Sequence, residues 1–481
     1  MKKKYIFLSV LATAVSVTTL TSCDDYLDTM PDNRTVLDTE DKMSDLLTSS
    51  YPSNEYVLVN ELMSDNADYY GAENPNGGRL GDQIYFWKDV TESANEAPTR
   101  LWSSCYLCIA NANQVLESLK EYKFSDEKAQ QLKAEALLCR AYAHFILVNE
   151  FGLAYNTKTS AKDPGVPLST KVEKIAAKYQ RASVAAVYEQ IDKDLQEALP
   201  LVGDNYKVPK YHFNVKAAYA FAARFYLYYT QWAKAEQMAT EVLGDTPTNL
   251  RNWIAFQALG NNDPHAKEYT REGVEANLML ASVSSYARRF IDGQTVGRFA
   301  HSRGTAVRET FRDANNLWTN NYKDKQYESF RVDASKYIYT KYPTYTGNNT
   351  QIVLFTTDET LLVRAEARIL QKNYTGAVAD LNLFAKAYFM DEPQFTMSQI
   401  VSGYQNIPYS SYDPTSKLSH ATQKKRLSPE FTIDNDQENL LHFLLQCRRL
   451  LTLGEGLRWY DIRRYGIEIH RHQMDIDGNA H

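Results

Sequence analysis

Small and large apolar residues recur along this chain at helical spacing, in paired segments. In residues 211–247, Ala223, Tyr226, Trp232, Ala235 and Ala239 alternate space and bulk over two predicted helices, and Pro247 closes the second. The small positions let one helix nest against the bulky face of the next. Residues 357–385 repeat the arrangement, with Ala365, Tyr374, Ala377 and Leu381 at the same intervals as Ala223, Trp232, Ala235 and Ala239. A third helix at 127–150 has a small-residue face of its own, and its partner is predicted at 184–199, beyond a loop containing Asp163-Pro-Gly-Val-Pro167. Residues 101–113 read as a helix because Leu101, Cys105, Cys108 and Ile109 share a face. Each helical pair leaves an apolar face that a neighbour must cover, so scattered repeats predict one continuous scaffold. The expected fold is all-α and mainly helical, with scaffold segments near 100–250, 357–390 and 430–466.

The spacing of small and large residues in these pairs matches the tetratricopeptide pattern. Two segments break it. Residues 66–98 are rich in Asn, Gly, Asp and aromatics; Asn74-Pro-Asn-Gly-Gly78 is a turn signal, and Tyr85-Phe-Trp87, if extended, puts two aromatics on one side. Residues 251–354 carry Gly, Asn, Asp and Tyr clusters, including Asn315-Asn-Leu-Trp-Thr-Asn-Asn-Tyr322. Long insertions of this kind in a compact domain are usually functional. An aromatic face against the C–H side of a sugar ring, with planar polar groups for the hydroxyls, is the chemistry of glycan recognition, and these segments hold both ingredients. Trp87, Trp318, Tyr322 and Tyr85 are the candidate aromatic contacts, with Arg79 and Asn320 as polar partners. Trp102 is expected in the core.

Composition narrows the class. The chain of 481 residues is 44% hydrophobic and 23% charged, which is globular. Lys2, Lys3 and Lys4 precede an apolar run over residues 6–20, the form of a secretory signal peptide. Without residues 1–22, Lys+Arg falls from 53 to 50 against 59 acids, and the net charge moves from −6 to −9. So acidic a chain is a poor nucleic-acid binder. Cys105 and Cys108 lack the strand-to-helix context of a redox pair and the further ligands of a zinc site, so buried, reduced thiols are expected. No G-x-S-x-G elbow, H-E-x-x-H or phosphate-binding glycine loop occurs. No cofactor, metal or catalytic residue is expected, and His470-x-His472 would place its rings differently on a helix.

Near the C-terminus, Arg448-Arg449 and Glu455-Gly-Leu-Arg-Trp-Tyr-Asp-Ile-Arg-Arg-Tyr-Gly466 form a dense ordered pattern. Glu455, Arg458, Asp461 and Arg464 recur at three-residue spacing, predicting a salt-bridged stripe on one helix. Gly454 and Gly456 predict a bend or a close backbone approach. The block resembles the C-terminal signature of the SusD/RagB family of outer-membrane nutrient-binding lipoproteins, with Tyr465 where a tryptophan is more usual. The ending Leu20-Thr-Ser-Cys23 is similar to a bacterial lipobox, with an ordinary cleaved signal as the alternative. The acidic start after it resembles a surface-export tag.

The resemblance implies a single SusD-like domain over residues 23–481, in which helical repeats form one side and irregular insertions near 66–98 and 251–354 build the ligand face. It further implies a lipid anchor at Cys23, an outer-membrane location facing the exterior, and a non-enzymatic role. That role is capture of an oligosaccharide and its delivery to a SusC-like TonB-dependent transporter. Peptide uptake of the RagB type and a purely structural repeat scaffold are the alternatives.

Overall fold

A computed structural model describes residues 36–75, 77–173, 178–257, 267–285, 298–300, 349–389, 392–410, 424–471 and 473. The expectations at residues 1–22, Cys23, Trp318, Asn320, Tyr322 and His472 lie outside these residues. The chain divides into two compact units, 1–39 and 40–481. Of the first, residues 36–39 are described and carry no regular element.

In the second unit the described elements are, in chain order, α1 (Glu40–Leu47), α2 (Val57–Met63), β1 (Asp68–Tyr69), α3 (Arg79–Tyr85), α4 (Pro98–Glu121), α5 (Glu127–Phe151), α6 (Val184–Ala198), α7 (Val215–Tyr228) and α8 (Trp232–Leu243). They continue with α9 (Trp253–Gln257), β2 (Asn277–Ser284), β3 (Phe299–Ala300), β4 (Asn349–Thr356), α10 (Thr357–Leu370), α11 (Tyr374–Tyr388), α12 (Met397–Gln405), α13 (Asn435–Leu451) and α14 (Leu457–Arg464). The fold is mainly helical, as the apolar pattern predicts.

Seven of the described helices start where a side chain satisfies one of their first N–H groups. Asp126, Ser183, Asn214, Thr356 and Asn373 cap α5, α6, α7, α10 and α11, and capping boxes at Thr396/Gln399 and Asp434/Gln437 open α12 and α13. Each predicted pair is a hairpin: α5 packs on α6, α7 on α8, and α10 on α11. Between hairpins, α8 packs on α10, which also packs on α13. Ala223, Ala235, Ala239, Ala365 and Ala377 are fully buried at these contacts, as the small-residue pattern requires. Helix α5 is buried nearly all round, and one of the charges it carries inward, Arg140, is held by Asp194 of α6 at 2.6 and 2.9 Å.

Four local expectations are corrected. The insertion at 251–354 is not loop throughout: α9 lies in it, and β2 pairs antiparallel with β4, Leu280 opposite Val353. Tyr85-Phe-Trp87 is not extended, because Leu80, Ile84 and Tyr85 form the buried face of a short helix that ends in a tight turn. The C-terminal charge stripe is also split. Only Arg464 and Asp461 pair along α14, at 2.7 Å, while Glu455 lies in the turn before the helix and accepts from Tyr269. Arg458 leaves the stripe for Asp65, because the docking of α2 against α14 puts that carboxylate within reach. Trp102 is half-buried against Tyr106 and Phe151, nearer the surface than a core residue.

The motif at 448–466 is the clasp of the structure. Asp65 is shared by Arg458, Arg449 and Lys425. Burial alone would raise the Asp65 carboxyl, but the three cations outweigh it and hold it well below the usual carboxylate range. Arg464 and Tyr465 both donate to Glu366 of α10 at 2.7 Å, and Arg448 joins Asp461 at 3.1 Å. Arg463 donates to the Asn149 and Gly152 carbonyls at the end of α5. Gly456 adopts φ +74, and a Cβ there would lie 3.0 Å from the Val57 Cα, so close backbone approach explains this glycine.

Candidate ligand platform

The insertion at 66–98 is tied to the one at 251–354 by aromatic packing. Strand β1 pairs with β3, Tyr69 opposite Phe299. The Tyr69 ring stacks on those of Tyr85 and Phe299 at 5.6 Å each, and Phe86 meets Tyr69 edge-on at 5.0 Å. Gly81 lets α3 reach this cluster, since a Cβ there would sit 2.7 Å from the Phe299 ring. Arg298 pairs with Asp82 at 2.7 Å and fastens the same two segments from the polar side.

Helix α3 ends in a Schellman turn: Trp87 N–H bonds the Ile84 carbonyl at 3.0 Å, and Lys88 N–H the Gln83 carbonyl at 2.8 Å. Trp87 therefore takes the left-handed position, φ +51, where glycine is usual. Lys123, Thr230 and Lys372 occupy the same position at other helix ends, so the conformation alone does not mark function. What distinguishes Trp87 is a large ring left 46% exposed at such a turn. The ring is held from the scaffold side. Its Nε1 donates to the Met63 carbonyl at 3.3 Å, and the Arg471 guanidinium lies 4.3 Å from the ring centre.

The candidates from sequence thus have different positions. Trp87 presents an exposed, immobilised aromatic surface. Tyr85 is 1% exposed inside the cluster, with the Arg471 guanidinium 4.0 Å from its ring centre. Arg79 is at the surface one helix length away, donating to Thr91 at 3.1 Å and facing Glu92 at 3.5 Å. Gln83 also holds Thr91, at 2.9 Å, so α3 and the stretch at 88–92 share one polar seam. Sequence reasoning missed Arg471, which belongs to a polar tail with no periodicity to mark it. Two cavities of about 20 Å³, one beside Arg449 and Arg458 and one beside Tyr56 and Tyr269, are water-sized and too small for a sugar ring. Cys105, Cys108, Cys139 and Cys447 are buried free thiols, and burial pushes their pKa values up. His470 is bonded to Glu468 at 3.3 Å.

Residues 25–227 match a SusD-like family described as starch-binding and associating with the outer membrane. A SusD-like protein of Formosa agariphila is 22% identical over 389 residues, covering 76% of this chain and 71% of its own. Among solved structures, a SusD-like carbohydrate-binding protein of Bacteroides vulgatus superposes with a TM-score of 0.59 at 17% identity, covering 89% of this chain and 83% of its own. A SusD superfamily protein of Bacteroides thetaiotaomicron gives 0.57 at 18% identity, over 88% and 89%. At these identities the structural likeness establishes the fold.

Proposed function

We propose that the chain is a member of the SusD-like family, the family that residues 25–227 match and whose fold it shares, and that it is a lipid-anchored glycan-capture protein of the outer membrane. Acylation at Cys23 tethers it to the outer face. It binds oligosaccharide without cleaving it and passes the ligand to a TonB-dependent transporter. Trp87 is the aromatic platform, with Arg79 near it and Trp318, Tyr322 and Asn320 contributing from the second insertion. The transporter is held by the broad helical side, because an assembly that opens and closes must leave the ligand face free.

The observation that supports this reading best is the half-exposed Trp87 ring, fixed from behind and offered to solvent on an insertion outside the helical rows. A rigid aromatic face loses little side-chain freedom on stacking against a sugar. The test is isothermal titration of soluble protein beginning just after Cys23 against plant, microbial and host oligosaccharides, with mixed peptides alongside. Heat with one glycan class that disappears in Trp87→Ala protein supports the proposal. Binding to peptides alone would overturn it in favour of peptide uptake.

A further inference from the structure

We propose that Arg471 is a positioning residue for the ligand platform, holding the Trp87 ring in its binding orientation; this rests on the reading of Trp87 as the glycan contact. Arg471 lies beyond the C-terminal motif, yet its guanidinium is close to two aromatic rings of the distant insertion. Its central carbon is 4.0 Å from the centre of the Tyr85 ring and 4.3 Å from that of Trp87. The same group closes the C-terminal end of α2. Its Nη1 donates to the Ser64 carbonyl at 2.7 Å, and its Nη2 to those of Leu62 and Met63 at 2.6 and 2.9 Å. These are carbonyls that a helix end leaves unpaired, and a cation there also complements the helix dipole.

The geometry makes Arg471 a bracket between scaffold and platform. Its planar fork satisfies three scaffold carbonyls, while the flat guanidinium supports the rings. The Met63 carbonyl is common to both partners, since it also accepts the Trp87 indole N–H. Two residues on, Gln473 bridges Tyr69 in parallel register, which places it beside the strand that carries one ring of the aromatic cluster. Without the guanidinium, the exposed ring keeps a single 3.3 Å hydrogen bond and a turn conformation that L residues rarely adopt. Its orientation would then have to be fixed at the moment of binding, which costs affinity.

Spectra of 19F in protein labelled with 5-fluorotryptophan test the role with no ligand present. The line missing in Trp87→Phe protein belongs to Trp87. In Arg471→Met protein that line is expected to move and narrow as the ring gains freedom, and Arg471→Lys should recover part of the shift but not all. An unmoved Trp87 line in folded Arg471→Met protein overturns the proposal. Where Arg471→Met does not fold, Arg471→Lys decides, because an ammonium cannot serve three carbonyls and lie flat beside two rings; an unmoved line there also overturns it. Titration with maltoheptaose, chosen for the starch-binding description of the family, gives the second readout. Loss of affinity in Trp87→Gly and a roughly tenfold weakening in Arg471→Met, equivalent to about 1.4 kcal/mol, support the positioning role. Affinity unchanged in both variants, with the 19F line moved, would sink the platform reading and overturn the role of Arg471 in binding, leaving it to order the ring for the fold alone.

Discussion

Arg458 grips Asp65 with two hydrogen bonds, 2.8 Å from Nε and 2.9 Å from Nη2, across 393 positions of chain. Both residues are at most 9% exposed, and Asp65 also receives Arg449 and Lys425. The carboxylate is therefore the point at which the C-terminal motif closes on the segment after α2.

Removing one member of such a group leaves buried charge uncompensated. Asp65→Ala is expected to destabilise the protein by about 3–5 kcal/mol or to prevent folding, and Arg458→Met to act in the same direction. Chemical denaturation of both variants checks this. A loss below about 1 kcal/mol in each would show that the pair is dispensable to the fold.

The motif glycines should be intolerant of a side chain. Gly466→Ala would put a Cβ 2.4 Å from the Ser428 carbonyl oxygen, and Gly456→Ala one 3.0 Å from the Tyr56 ring and the Val57 backbone, both at positive φ. Strain at the left-handed conformation alone costs about 1–2 kcal/mol, and the clashes add to it. Melting temperatures should fall in both variants, further for Gly466→Ala, whose backbone neighbour is closer.

Trp87→Gly separates binding from stability. Glycine relieves the left-handed strain at φ +51, offsetting the lost ring contacts, so unfolding free energy should change by no more than about 1 kcal/mol. Glycan heat in calorimetry should disappear. Retained heat would place the sugar elsewhere.

Stability should fall as pH rises through neutrality. Burial raises the carboxyls of Glu55 and Glu150 to about 7, partly offset by bonds from Ser285 and the Val57 N–H to Glu55 and from Tyr460 and Asn60 to Glu150. An unfolded glutamate titrates near about 4.3. Between those values the folded state binds more protons than the unfolded one, so stability is greatest below the unfolded value and is lost as pH climbs through the folded one. Thermal melts should be higher near about pH 5 than near about pH 8, with a smaller difference in Glu55→Gln protein. A melting temperature that rises across this range would contradict the assignment.

The helical hairpins were legible because helix pairing is written locally. Ala223, Ala235 and Ala239 declare a close approach by their size. Strand β2 was not legible: Asn277–Ser284 is buried along most of its length, so it lacks the alternation that marks a half-exposed strand, and its partner β4 begins far along the chain. In the candidate site, Trp87 stood out as an aromatic in an insertion. Its exposed ring and its partner Arg471 depend on how the tail folds back across the insertion.

Sequence by itself determined the paired helices and the C-terminal signature, because periodicity and motif spacing act over a few residues. Only the tertiary structure decided which charges meet. The sequence pattern offers Asp461 to Arg458 three residues away, yet Arg458 bonds Asp65 and leaves Asp461 to Arg448 and Arg464. A buried guanidinium must be neutralised, but any carboxylate brought within reach can do it, and reach is set by how distant helices dock.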